Sequence, residues 1–91
     1  MTGEPALVRV PLINPNEPES LVAEIKVHEG EKVSKGQVLA TFETTKSTFE
    51  LTAESDGYVL GFSHQVGDTV YAGERFCYLA TEVGQEIPVN V

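Results

Sequence analysis

The chain has 91 residues, of which 41% are hydrophobic and 22% charged, the composition of one folded domain and not of a disordered segment. Fourteen Asp and Glu against six Lys and Arg give a formal net charge of −8, which argues against nucleic acid or anionic membrane as partner and suits partners with basic surface. The single cysteine, Cys77, excludes an internal disulfide, no Cys/His cluster has zinc-ligand spacing, and neither a signal peptide nor a run of transmembrane length is visible, so a cytoplasmic setting is expected.

Taken in chain order, "ALVRVPLI" predicts a first strand that ends near Pro11, which has no N–H for a ladder. "NPNEPES", from Asn14 to Ser20, predicts an exposed loop. In "LVAEIKVH" the period is two: Leu21, Ala23, Ile25 and Val27 fall on one face, and Val22, Glu24, Lys26 and His28 on the other. A glycine-bounded connection leads to a strand ending in Phe42. "TTKS", Thr44 to Ser47, is entered by strand pattern from both sides and must be a tight hairpin turn. It has no Gly or Asn, so it suits a type I turn better than the primed types. "STFELTA" then alternates Phe49, Leu51 and Ala53 against Thr48, Glu50 and Thr52, so Phe42, Phe49 and Leu51, or their strand neighbours, are expected to brace the turn from below. "AESDG" predicts another turn, and "YVLGFSH" and "RFCYLA" further strands. A domain over residues 1–82 is expected, with 83–91 as a tail or the start of a linker.

Two stretches match at an offset of 37 residues: "IKVHEGEKVSKGQVLATF" from Ile25 and "FSHQVGDTVYAGERFCYL" from Phe62. Gly30 matches Gly67, Val33 matches Val70, and Gly36 matches Gly73, with Glu31 and Asp68 after the first glycine of each. Each copy reads as strand, tight connection, strand, with glycines free to take positive φ. Two copies are too few for a solenoid. The fold expected is all-β: about eight short strands in two antiparallel sheets, a flattened barrel or sandwich with pseudo-twofold symmetry.

Lys46 stands at the tip of the hairpin, where another enzyme can reach it from almost every side. An exposed lysine has a pKa near ~10.4, and nothing around it suggests a buried amine doing Schiff-base chemistry. On turn position alone an ordinary solvated lysine is the better reading. The wider pattern changes that. From about Val8 to Ala80 the chain resembles the biotinyl/lipoyl attachment domain family, and its lipoyl branch more than its biotin branch. The resemblance rests on "EGEKVSKGQVLATFETTKSTFELTAESDGYV" and "VGDTVYAGERF". Lys46 falls on the family's modified lysine, Glu43 on the acidic residue three before it, and Gly30 and Gly57 on glycines sixteen before and eleven after. The tip departs from the family: it reads Thr45-Lys46-Ser47, where lipoyl domains commonly have Asp-Lys-Ala and biotin domains Met-Lys-Met.

The resemblance implies a hammerhead-like carrier domain that is not catalytic alone. Lipoate would be attached covalently to Lys46, with biotin as the less favoured cofactor. Glu43, Thr44, Thr45 and Ser47 would form the attachment turn and its recognition surface, and Gly30, Gly36, Gly57, Gly67 and Gly73 would be structural turn glycines. Partners would be a lipoyl ligase or transferase and the E1, E2 and E3 components of a 2-oxo acid dehydrogenase-like complex. The alternatives are an unmodified interaction module, which Thr45 and Ser47 motivate, and a biotin carboxyl carrier domain. His28 and His64 belong to no carboxylate or cysteine constellation in the sequence, Cys77 suits strand packing, and no nucleophile elbow, P-loop or metal motif is present.

Overall fold

Eight strands run in chain order, and the computed structural model describes residues 5–81. They are β1 (Ala6–Arg9), β2 (Glu19–Ile25), β3 (Lys32–Val33), β4 (Val38–Glu43), β5 (Thr48–Thr52), β6 (Gly57–Leu60), β7 (Thr69–Tyr71) and β8 (Arg75–Ala80). One four-stranded antiparallel sheet has the order β1-β8-β6-β3 and the other β5-β4-β2-β7. Moving every strand four places along the chain turns the first order into the second. The internal repeat is therefore a structural twofold that exchanges the two sheets.

Hydrogen bonds repeat with the sequence. Gly30 N–H donates to Val59 O at 2.6 Å and Gly67 N–H to Val22 O at 2.8 Å. Lys26 N–H donates to Leu39 O as Ser63 N–H does to Phe76 O. The acidic residue after each first glycine also has a reason. Glu31 accepts from His28 N–H and Asp68 from Gln65 N–H, both at 2.9 Å, so each carboxylate caps the bend that precedes it. Gly30 and Gly67 have φ of +86° and +97° in open space, so the backbone conformation and not crowding excludes a side chain there. Gly36 and Gly73 share that conformation.

Gly57 corrects the expectation of a turn glycine. It is buried at the start of β6 without a positive φ, and a Cβ built on it would lie 2.7 Å from the Ala80 carbonyl oxygen. What it provides is close approach of two strands. Gly61, with φ +67°, was not singled out from the sequence. Its N–H donates to Glu29 at 2.7 Å.

The core lies between the sheets and is built of repeat-related pairs: Val22 with Val59, Val33 with Val70, Leu39 with Phe76, Ala40 with Cys77, all buried. Phe76 packs edge-to-face with Phe42 and Phe62 at centroid distances of 5.2 and 5.6 Å. Burial of each large side chain contributes about 1.5–3 kcal/mol.

Two face assignments change. Leu21 is 39% exposed while Val22 is fully buried, because β2 carries a bulge at Ala23, where the register against β4 slips between Val22 and Glu24. An extra residue there inverts the alternation, so the phase read from Ile25 and Val27 does not extend back to Leu21. Phe49 pairs with Phe42 across the hairpin but is 39% exposed. It lies on β5, an edge strand, and does not brace the turn as Phe42 does. The expected tail over 83–91 lies outside the described residues.

Candidate functional site

The hairpin of β4 and β5 ends in the pair Glu43–Thr48, and Thr44 to Ser47 cross over beyond it. No residue other than glycine has positive φ among those described, which excludes the primed turns. Closure combines one backbone bond with several to side chains. Thr44 N–H donates to Ser47 O at 2.8 Å. The Thr44 hydroxyl oxygen accepts from Ser47 N–H at 3.0 Å and from Lys46 N–H at 3.3 Å. Thr45 turns to the loop before β2: its N–H donates to Glu17 Oε2 at 3.1 Å and its hydroxyl to Glu17 Oε1 at 2.8 Å.

All four N–H groups of the turn are thus bound without a glycine. Threonines suit this task, because a hydroxyl can serve the backbone two and three residues ahead. The bond from Thr45 to Glu17 was not foreseen from the sequence. The only signals available were a glutamate in the loop before β2 and a hydroxyl at 45 without an acceptor of its own; that loop is shorter than the expected Asn14 to Ser20, since Glu19 opens β2 and Ser20 is buried.

Lys46 is exposed, and no ion pair among the described residues holds its amine. Lys26, by contrast, lies 3.2 Å from Glu24. Beside the tip a groove of about 250 Å³ is lined by Glu17, Glu19, Leu21, Glu43, Thr44 and Thr45, with Ser20 beneath. Glu43 is exposed at its rim. Tyr71 donates its hydroxyl to Glu19 at 3.0 Å, and this bond, then the charge of Glu19, holds the phenol above its usual range. The structure brings together Glu43, Thr44, Thr45, Lys46 and Ser47, and adds Glu17. The glycines of the repeat act elsewhere, on the connections.

Part of the acidity is structural. Glu17, Glu29, Glu31, Asp56, Asp68 and Glu74 all accept backbone N–H groups. His64 is not isolated as the sequence suggested. It lies 3.5 Å from Asp68 and 3.7 Å from Glu74 and stacks on Phe76; Asp68 is four residues on, but Glu74 arrives only through folding. Cys77 is a fully buried thiol, pushed up to about 12 by burial and then by the charge of Glu29. A thiol that hard to ionise is packing and not a nucleophile.

The fit to a covalently carried acyl group can be tested on these residues. An amide on Lys46 needs an accessible amine, no partner charge that its loss would orphan, and a fixed backbone beneath it. The tip has all three.

A family model described as biotin-requiring enzyme, covering biotin and lipoyl domains, matches residues 6–79. The dihydrolipoyllysine-residue acetyltransferase component of the pyruvate dehydrogenase complex from Pseudomonas aeruginosa is 36% identical over 80 residues, covering 88% of this chain. The protein X component of the mitochondrial pyruvate dehydrogenase complex from Chaetomium thermophilum is 34% identical over 74 residues, covering 80% of it. The chain spans 14% and 17% of those two relatives. The lipoyl domain of the 2-oxoglutarate dehydrogenase complex from Azotobacter vinelandii superposes with a TM-score of 0.71 at 30% identity, over 87% of this chain and 99% of that domain.

Proposed function

Because the chain belongs to the biotin/lipoyl attachment-domain family, we propose that it is a lipoyl carrier domain with Lys46 as the site of attachment. The observation that carries this reading is the tip itself: an exposed lysine on a turn whose N–H groups are all bound. Likeness to a solved lipoyl domain along nearly its whole length supports lipoate over biotin.

A bound lipoyl group would supply a dithiolane able to carry an acyl group and an electron pair between active sites. The chain's own residues present it. Phe42, buried at the base of the hairpin, fixes where the arm starts. Thr44 and Glu17 fix the turn. Tethering then replaces free encounter with a high local concentration, which is where such a domain contributes to rate.

Attachment converts the Lys46 ammonium to an amide. With lipoate activated as an acyl adenylate, the acyl–phosphate bond breaks, the N–C bond forms, AMP leaves and the nitrogen gives up two protons. A lipoyl ligase is the partner for this step. E1, E2 and E3 components of a 2-oxo acid dehydrogenase complex are the partners for the loaded domain, and the acidic rim of Glu17, Glu19 and Glu43 suits basic surface on them. A cytoplasmic setting belongs to the same proposal, in keeping with the acidic, one-cysteine chain. The described residues hold no helix long and apolar enough to cross a membrane.

Incubation with a lipoyl ligase, lipoate and ATP is expected to add one lipoyl mass to the chain and none to Lys46→Arg. The substitution keeps the charge at an exposed site, so the fold is unaffected. Modification of the variant at Lys26, Lys32 or Lys35 would refute the assignment.

A further inference from the structure

The pseudo-twofold is broken in one place. Val10 and Ala53 are equivalent positions: each accepts from the second glycine of a repeat, Gly73 or Gly36, and each donates to the residue after it, Glu74 or Gln37. Val22 and Val59 are equivalent too, both bonded to the first glycine. From Ala53 to Val59 the chain takes six steps, but from Val10 to Val22 it takes twelve. The additional residues lie in the connection between β1 and β2, which Glu17 ties to the lysine tip.

The longer loop is built and not loose. Glu17 N–H donates to Asn14 O at 2.9 Å, Asn16 N–H donates to the Asn14 side chain at 3.0 Å, and Pro18 O accepts from Ala72 N–H at 3.0 Å. Glu17 is therefore held from both sides of its own backbone. Its carboxylate spends both oxygens on Thr45, the residue before the lysine.

Resting on the carrier reading above, we propose that Glu17 is a positioning residue for modification of Lys46. Clamping Thr45 through two bonds, it fixes the direction in which the next residue leaves the turn, and it sets a negative charge on the residue before the lysine. A carboxylate at position 45 would face Glu17 at contact distance, and like charges there repel. So in this chain Thr45 and Glu17 form a matched pair, and the negative charge at the tip comes from the loop.

The test uses the full chain, a lipoyl ligase, lipoate and ATP, with initial rates over a range of domain concentration. Glu17→Ala is expected to lower kcat by about tenfold, the scale of losing a charge-assisted hydrogen bond, with KM changed less than about threefold. Its melting behaviour should be unaltered, while the Thr45 amide of the unmodified domain exchanges faster. Thr45→Asp should lose a similar factor, and Glu17→Gln combined with Thr45→Asp should recover most of it, since an amide can donate to the new carboxylate. An unchanged kcat in Glu17→Ala overturns the proposal whatever the exchange shows. So does a Thr45→Asp penalty that is the same with Glu or Gln at position 17. A wild-type chain that the ligase does not modify overturns the carrier reading as well, which separates the two failures.

Discussion

Phe76→Ala is expected to cost about 3–5 kcal/mol of folding stability, a large part of the ~5–15 kcal/mol that holds a domain of this size. Phe76 is fully buried and is where the two halves of the repeat meet. It packs edge-to-face with Phe42 and Phe62 and stacks with His64. Truncation removes about a ring's volume at a point where both sheets supply rigid walls, so collapse into the gap is limited. The loss should be read in urea as a lower midpoint with unchanged slope. The same truncation at Phe49, 39% exposed on an edge strand, should cost far less. Equal losses at the two positions would contradict the core described above. Because Phe42 leads directly into the attachment turn, the Phe76 variant should also loosen the tip before the domain melts.

Gly57→Ala is the second large effect. A methyl group there meets the Ala80 carbonyl oxygen at 2.7 Å, which is backbone and cannot swing aside. β6 lies between β3 and β8, paired at Val33 with Gly57 and at Tyr58 with Ala80. Forcing those strands apart should cost about 1–3 kcal/mol by overpacking. Gly57→Val should be worse, since a branched side chain needs still more room. Thermal unfolding of the two variants checks this, and an unperturbed Gly57→Val would show that the strands have slack the structure does not display.

What could be read from the sequence was what repeats or alternates locally. The 37-residue offset carried the two sheets, because equivalent glycines and valines occupy equivalent places on the connections. The hairpin at Lys46 was legible because strand pattern runs into it from both sides. What escaped depends on residues distant in the chain. The bulge at Ala23 is a relation between β2 and β4 and leaves no mark on β2 alone. Phe49 looked like core because its alternation is clean, but β5 has a neighbour on one side only. Gly57 was noticed for its distance from the lysine, while its reason is a carbonyl on another strand. The bond from Thr45 to Glu17 spans 28 residues, and Glu17 reads as one more charge in a polar loop.

The absence of an aspartate before the lysine thus has a physical account. The tip is not simply a turn with a charge removed. It is a turn whose threonine is bonded to a carboxylate brought in by a longer loop, and whose lysine is free of ion pairs among the described residues.

The most direct test of the carrier role is the intact mass of the chain taken from its native host, followed by peptide mapping. A single added lipoyl group, located on Lys46, is the result this account predicts. Bare Lys46 in cells whose other lipoyl proteins are fully loaded, or an acyl group on a different lysine, would contradict it.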